Sequence, residues 1–417
     1  MRQSKLFTKT RKEAPADEVS KNAELLIRGG FIHKEMAGVY TYLPLGLRVL
    51  QKIENIIREE MNAISGQEVS MTALQDPELW KKTDRWSDDK IDVWFKTKLK
   101  NDTELGLGCT HEEPMTNIMT NFINSYRDLP LFTYQFQIKF RNELRSKSGI
   151  LRGREFLMKD MYSFCKNEAE HNEFYEKSKV AYMNVFRRVG LGHITYITFA
   201  SGGMFSKYSH EFQTITPAGE DLIYLDENTG IAINKEVLND EVLSSLGLRR
   251  EKLVEHKAIE VGNIFTYGKR YSEPLNLTFT DEKGEKHPVL MGAYGIGLTR
   301  LMGTVVEVLS DDKGIIWPES IAPFAVHLLL LGEDEKVLKE AEKIYDSLSK
   351  SGVEVLFDDR LDVSAGEKFS DADLLGIPFR AVVSVRSLKD GGIELKKRTE
   401  DKGKIINMEE LLKIFKK

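Results

Sequence analysis

Two aromatic-rich, partly alternating segments, "FTYQFQIKFRNEL" and "REFLMKDMYSFC", are separated only by a short Ser/Gly loop, and this pair constrains the fold more than any other feature. Alternation puts successive side chains on opposite faces of a sheet, and two such runs so close in sequence pair as an antiparallel hairpin. Its tip is heavily charged: residues 140–156, "FRNELRSKSGILRGREF", carry five arginines or lysines, with an aromatic at each end. A spacing of two places Arg141 and Glu143 on one face of a strand, and a spacing of four does the same for Arg152 and Phe156 on the returning strand. A guanidinium forks onto phosphate oxygens, a carboxylate accepts from an exocyclic amine, and an aromatic plane stacks on a purine. The tip therefore suits a nucleotide. It equally suits a solvated, salt-bridged surface hairpin, because such ion pairs are common and weak.

Around the hairpin the pattern changes to helical. "ADEVSKNAELLIRGGFI" closes on a glycine pair, and "LGLRVLQKIENIIREEMNAI" repeats apolar residues every three or four positions. "HNEFYEKSKVAYMNVFRRVG" is again helical, and "PVLMGAYGIGLTRLMGTVVEVL" reads as a strand running through glycines into a helix. Residues 221–262 read as a short, charged connector with little room for a core. The sharpest boundary is "DDKGIIWPESIAPF"; beyond it strands and helices alternate, which implies a compact α/β domain with a mixed sheet.

Composition excludes several classes. With 417 residues the chain has room for two or three domains, and its net charge of −5 confines any nucleic-acid contact to a local patch. The two cysteines, Cys109 and Cys165, lack zinc-ligand spacing, so neither a structural zinc nor a disulfide framework is expected. No apolar run reaches the ~18–20 residues that span a bilayer, and the basic N-terminus lacks the apolar stretch of a secretion signal. A reducing cytoplasm is the expected compartment.

Three further motifs carry chemistry. In "GCTHEEPM", Thr110 and Glu112 offer a hydroxyl and a carboxylate to a small ammonium ligand, while Thr110 and Glu113 have the spacing of a helix capping box. In "SGGMFSKYSHEFQ", Gly202, Gly203, His210, Glu211 and Gln213 fall in a loop that runs into a strand; a lone histidine there is more often structural than catalytic. In "MGAYGIGLTR" the glycines at 292, 295 and 297 miss the dinucleotide G-x-G-x-x-G frame, and Arg300 either reaches a phosphate or stands exposed at a helix–sheet contact.

Taken in order, T-H-E-E, F-R-N-E with R-G-R-E-F, S-H-E-F and G-A-Y-G-I-G-L-T-R resemble the signature segments of the class II aminoacyl-tRNA synthetases, specifically the bacterial-type prolyl-tRNA synthetases. The similarity covers nearly the whole chain, including "IEVGNIFTYGKRYSE" and "FDDR…GEKFSDADLLGIP". It implies an α+β catalytic domain over 1–320, an antiparallel sheet flanked by helices, and an α/β anticodon-binding domain over 321–417. It also implies a ligase in which the proline carboxylate attacks the α-phosphorus of ATP, pyrophosphate leaves, and the prolyl group passes to the 3′ end of the proline tRNA. On this resemblance Arg141 bridges the α-phosphate and the proline carboxylate, and Glu143 accepts from the adenine amine. Phe156 and Arg300 sandwich the adenine, while Arg152 and Arg300 serve the γ-phosphate. Thr110 and Glu112 hold the imino group, His210 walls the ring, and Glu211 and Gln213 contact ATP or its Mg²⁺.

No general base is evident, which fits a reaction served by positioning and charge neutralisation. The stretch "FDDRLDVSAGEKF" holds the candidates for contact with anticodon bases. A homodimer is implied through "EVSMTALQDPELW", although Thr72 stands where the family usually has proline. The connector at 221–262 occupies the place of the family's editing insertion, so correction of errors falls to a separate protein or is not made. A threonine-specific relative would need Cys and His zinc ligands that are missing here. A synthetase-like binding protein would have lost the phosphate-contacting residues, all of which are present.

Overall fold

The computed structural model describes residues 1–144, 148–202 and 208–415. It has two compact units, one of residues 36–39 and 53–304, the other of residues 1–35, 40–52 and 305–417. Helices α1 (Lys21–Arg28) and α2 (Pro44–Ala63) form where the apolar periodicity puts them. Gly30 ends α1 by taking a φ of 68°, a left-handed conformation that costs glycine little. Along α2 the stripe Val49, Ile53, Ile56 and Ile57 is buried.

The hairpin anchors the larger unit. β1 (Leu131–Phe140) and β2 (Glu155–Cys165) pair antiparallel without a slip from Leu131↔Phe164 to Phe140↔Glu155. The sheet continues with β3 (Thr195–Ser201), β4 (Tyr208–Ile215), β5 (Asp221–Asp226), β6 (Ile231–Asn234), β7 (Val254–Gly268) and β8 (Leu290–Gly297). Across the sheet the order is β4-β3-β6-β5-β7-β8-β2-β1, with Gln67–Glu68 alongside β1. β7 is long enough to pair twice, with β5 near its start and with β4 along the rest. The short α3 (Glu112–Met119) precedes the hairpin, and α4 (Glu168–Arg188) follows it. α4 covers one face of the sheet through Phe174 and Tyr182, which meet Tyr294 and Phe212 at ring-centre distances of 5.2 and 4.9 Å. The alternate residues of β2 and β8 point to the other face, where the site lies.

Two expectations about the hairpin need correction. Arg141 and Glu143 lie beyond the regular strand: Arg141 N–H still donates across the hairpin to Arg154 O (2.8 Å), but Asn142 N–H donates to Val93 O (2.9 Å) and Glu143 N–H to Arg141 O (2.7 Å), so the pairing ends at Arg141. Arg152 likewise follows a single turn of 3₁₀-helix at Gly149–Leu151, ahead of β2. Turn geometry, rather than strand spacing, aims these side chains. The connector also differs from expectation. Residues 221–262 supply β5, β6, a short helix at Asp240–Ser245 and the start of β7, and Ile233, Val237, Val242, Leu243 and Leu248 form a small core.

After α5 (Leu298–Val308), the second unit carries a five-stranded mixed sheet, as the alternation requires. β9 (Val326–Leu331) lies parallel between β10 (Val355–Asp358) and β11 (Phe379–Ser384), and β12 (Ile393–Lys397) and β13 (Lys404–Ile406) add antiparallel strands. α6 (Glu335–Lys350) buries Val337, Ala341, Ile344 and Leu348 in this unit's core; α7 (Ala365–Leu375) starts on a Ser364 cap and stops at the left-handed Gly376. Within "FDDRLDVSAGEKF", three charges are engaged internally. Arg360 forks onto Asp358 (2.8 and 2.7 Å) and reaches Asp371 (2.8 Å), and buried Lys368 donates to Leu330 O (2.7 Å).

The first residues of the chain lie along the β10 edge of this sheet. Arg2 bridges Phe357 in parallel, Phe357 N–H donates to Met1 O (2.8 Å), and Arg2 forks onto Glu342 (2.8 and 2.6 Å). Gln3 pairs with His327 (2.8 Å), and Thr10 donates to Asp371 (2.7 Å). Among the described residues no helix is long and apolar enough to cross a membrane.

Candidate active site

Two clefts open on the bare face of the larger unit's sheet, and Arg141, Met158, Glu260, Asn263 and Gly295 contribute to both. One, of about 620 Å³, is walled by Arg141, Glu143, Arg152, Phe156 and Arg300. The other, of about 1000 Å³, is walled by Thr110, Glu112, Asp160, Tyr162, Glu211 and Tyr267. The structure thus brings together every residue assigned from the sequence except His210 and Gln213.

The first cleft has the chemistry of a nucleotide site. The Arg141 guanidinium lies 5.3 Å from the centre of the Phe156 ring while its Nε donates to Cys109 O (3.2 Å). Arg152 meets Glu220 at 3.0 Å and Glu143 at 3.9 Å. Arg300, in the first turn of α5, donates to Leu151 O (2.8 Å) and to the Glu260 carboxylate (3.3 Å). A guanidinium has five N–H donors, so each of these arginines retains donors for a ligand. Arg154, by contrast, donates to the carbonyls of Glu143 (3.2 Å) and Ala37 (2.9 Å), so part of the hairpin's charge holds backbone instead of phosphate. Gly295 leaves the floor bare; a Cβ there would come within 2.5 Å of Met158 Cε.

The second cleft is built on buried charge. Thr110 does not form the expected capping box: α3 starts after His111 with no side-chain cap, and Thr110 Oγ1 donates to both Glu112 oxygens at 2.7 Å. The Tyr267 hydroxyl donates to Glu112 as well (3.0 Å). Glu113 turns away from the cap position to Arg85, whose Nη1 reaches its two oxygens at 2.8 and 2.9 Å, and accepts from Thr83 (2.8 Å). Burial, opposed by Arg85, pushes the Glu113 carboxyl up to about 7.

A second buried set runs beneath the same cleft. Lys139 pairs with Asp160 (2.7 Å) and lies 2.6 Å from His111 Nδ1, while His111 Nε2 lies 3.0 Å from Thr72 O. An ammonium can only donate, so Nδ1 accepts and Nε2–H donates to the carbonyl, which fixes one neutral tautomer. Burial, then Lys139, hold His111 down at about 4. Asp160 also accepts from Gln135 (2.9 Å) and Tyr162 (2.8 Å).

His210 is a correction. On β4 it alternates with Glu211, so it points to the opposite face, where Nδ1 meets the Tyr175 hydroxyl of α4 at 2.8 Å. Burial, then Lys179, hold it down at about 4. Gln213 is buried behind the wall and donates to Glu211 and Asp221 (2.8 Å each), so it supports the cleft without lining it. Glu211 also accepts from Asn234 (3.0 Å), and burial, then the Glu260 carboxylate, push it up to about 8. A carboxylate crowded by a neighbouring carboxylate suits a cation beside it. Gly203 lies outside the described residues.

Sequence reasoning missed Arg85, Asp160, Glu236, Glu260 and Tyr267. Asp160 stands in "MKDMYSF", within a segment read as a strand, whereas Glu260 falls in the stretch read as a connector and Tyr267 just beyond it; nothing in "KKTDRW" marks Arg85 as buried.

The family model for the tRNA synthetase class II core domain (G, H, P, S and T) matches residues 95–309, and an anticodon binding domain matches residues 322–417. A proline–tRNA ligase of Maricaulis maris is 38% identical, with 95% of this chain and 94% of that protein covered. The chain belongs to the class II aminoacyl-tRNA synthetases, in the proline–tRNA ligase family. A proline–tRNA ligase of Hyphomonas neptunium is 37% identical, with 99% of each chain covered. Among solved structures, a Giardia lamblia prolyl-tRNA synthetase in complex with prolyl-adenylate shares the fold at a TM-score of 0.77 and 18% identity, covering 93% of this chain and 74% of that one. A Cryptosporidium parvum prolyl-tRNA synthetase complexed with L-proline and AMP shares it at 0.76, again at 18% identity, covering 94% of this chain and 73% of that one.

Proposed function

We propose that the two joined clefts are the ATP and proline subsites of this proline–tRNA ligase, with Arg141 at their junction. That position carries the reading: one guanidinium borders both clefts, where the α-phosphate of one substrate and the carboxylate of the other must meet. The proline carboxylate attacks the α-phosphorus, and Arg141 offsets the charge that gathers there. Arg152 and Arg300 neutralise the departing pyrophosphate, and Phe156 and Glu143 receive the adenine. Thr110 and Glu112 accept the imino cation. No side chain needs to remove a proton, because proline enters as its carboxylate; the work is positioning in a dry, charged cleft.

Mg²⁺ bound with the nucleotide adds phosphate neutralisation, and the Glu211–Glu260 pair is the part of this chain fitted to hold it. We assign residues 1–320 to catalysis and 321–417 to the anticodon, without a structural zinc. The enzyme works in the cytoplasm as a homodimer that pairs through the Thr72 segment. The 221–262 segment, though folded, is too small to enclose a hydrolytic pocket, so a separate protein removes mischarged alanine wherever it is removed. ATP–pyrophosphate exchange, run separately with each amino acid, tests the assignment. Proline should drive exchange far more efficiently than any other; comparable or better exchange with another amino acid refutes it.

A further inference from the structure

Behind the wall of the second cleft a buried arginine faces two adjacent acids, of which only Glu112 borders the cleft. Glu112 borders the cleft, whereas Arg85 and Glu113 lie behind it, with Arg85 4% exposed and Glu113 fully buried. Arg85 Nη1 sits 2.8 and 2.9 Å from the Glu113 oxygens but 3.4 Å from Glu112. The Trp80 and Tyr271 rings flank the guanidinium at 5.2 Å each and fix its plane. The neighbouring Lys139–Asp160 pair cancels itself at 2.7 Å. Arg85 is thus engaged mainly by Glu113, and Glu112 is the member of this trio that borders the cleft.

We propose that Arg85 and Glu113 are positioning residues for substrate recognition: Glu113 occupies Arg85, and so leaves the Glu112 carboxylate available to the imino cation of proline. Without Glu113, the nearest carboxylate for Arg85 is Glu112, and the substrate would compete with a buried guanidinium for its own anchor. With Glu113 present, Arg85 keeps the second acid from repelling the first. The inference rests on the reading that Glu112 receives the imino group.

Exchange kinetics with proline and ATP varied in turn test it. Glu113→Gln, which keeps shape and removes charge, should raise KM for proline about tenfold to a hundredfold, with kcat and KM for ATP held within about twofold. Arg85→Met combined with Glu113→Gln removes both charges and should lower KM for proline at least about threefold from the single variant, because coupled losses are not additive. Glu112→Gln is the reference: if it leaves KM for proline unchanged, the anchor reading itself is wrong, and this inference falls with it. If Glu112→Gln raises KM while Glu113→Gln does not, or if the double variant is no better than the single, the inference alone is overturned. Should the single variant fail to fold, the double variant decides: KM within about tenfold of wild type supports the proposal, and a larger rise overturns it.

Discussion

Replacing Lys139 with methionine isolates the buried charge pair under the second cleft. Lys139 has no exposed surface, forms an ion pair with Asp160 at 2.7 Å and gives a hydrogen to His111 at 2.6 Å. Methionine fills much of the same volume, so the change removes charge more than packing. Asp160 would keep only two neutral donors, Gln135 and Tyr162, and the His111 acceptor would face an apolar thioether. Breaking a buried pair by deleting one partner costs about 3–5 kcal/mol. For a domain of this size that lowers the melting temperature by about 6–20 °C.

The pH dependence gives a second check on the same variant. In the wild type, Lys139 leads the groups that hold the Asp160 carboxyl below its ordinary range against the cost of burial. Stability from the pair is therefore present above that range and lost as pH falls through the folded value. In the variant, desolvation acts unopposed by the lysine and the carboxyl shifts upward, so the variant loses stability as pH rises. The deficit should be larger at pH 8 than at pH 5, measured by urea or thermal unfolding of both proteins. Adding Asp160→Asn should recover much of it. A deficit under about 1 kcal/mol at pH 8, or one that does not change with pH, would refute the reasoning.

Three other outcomes follow from the site. Arg141→Ala and Arg300→Ala should each lower proline-dependent pyrophosphate exchange by about a hundredfold or more while melting normally; near-wild-type exchange would remove them from the site. Glu211, pushed up to about 8, takes up a proton on folding, so it weakens the fold as pH rises between its unfolded and folded values. Glu211→Gln should therefore gain stability relative to wild type on going from pH 6 to pH 9, and a relative loss in melting experiments would contradict the shift. Purified Ala-tRNA should be hydrolysed by this protein no faster than by buffer; enzyme-dependent deacylation would reveal an editing site within the chain.

What the sequence disclosed depended on how local the signal was. The hairpin, α2, the glycine strand β8 and the C-terminal alternation were legible because periodicity is written in neighbouring residues. Arg141 and Arg152 do border one cleft, but not for the reason read from the sequence: strand spacing was to place them, yet the regular strand ends at Phe140 and turns do the aiming. His210 was misplaced because alternation on β4 says only that it faces away from Glu211, and which face borders the cleft depends on α4 packing from elsewhere. Arg85 was invisible. An arginine between Asp84 and Trp86 looks solvated, and its burial is decided by Glu113, twenty-eight positions later.

The docking of Arg2, Gln3 and Thr10 against β10 and its neighbours has a consequence for how the chain is made. Arg2 finds Glu342 only 340 positions further along the chain. At a synthesis rate of about 5–20 residues per second, the leading segment waits roughly 20–70 s on the ribosome before its edge exists. During that interval it lacks the sheet edge it docks on and is open to proteases. Slowing translation should lengthen that exposure, and pulse-labelled chains arrested before residue 342 should lose their first residues to limited proteolysis while completed chains retain them.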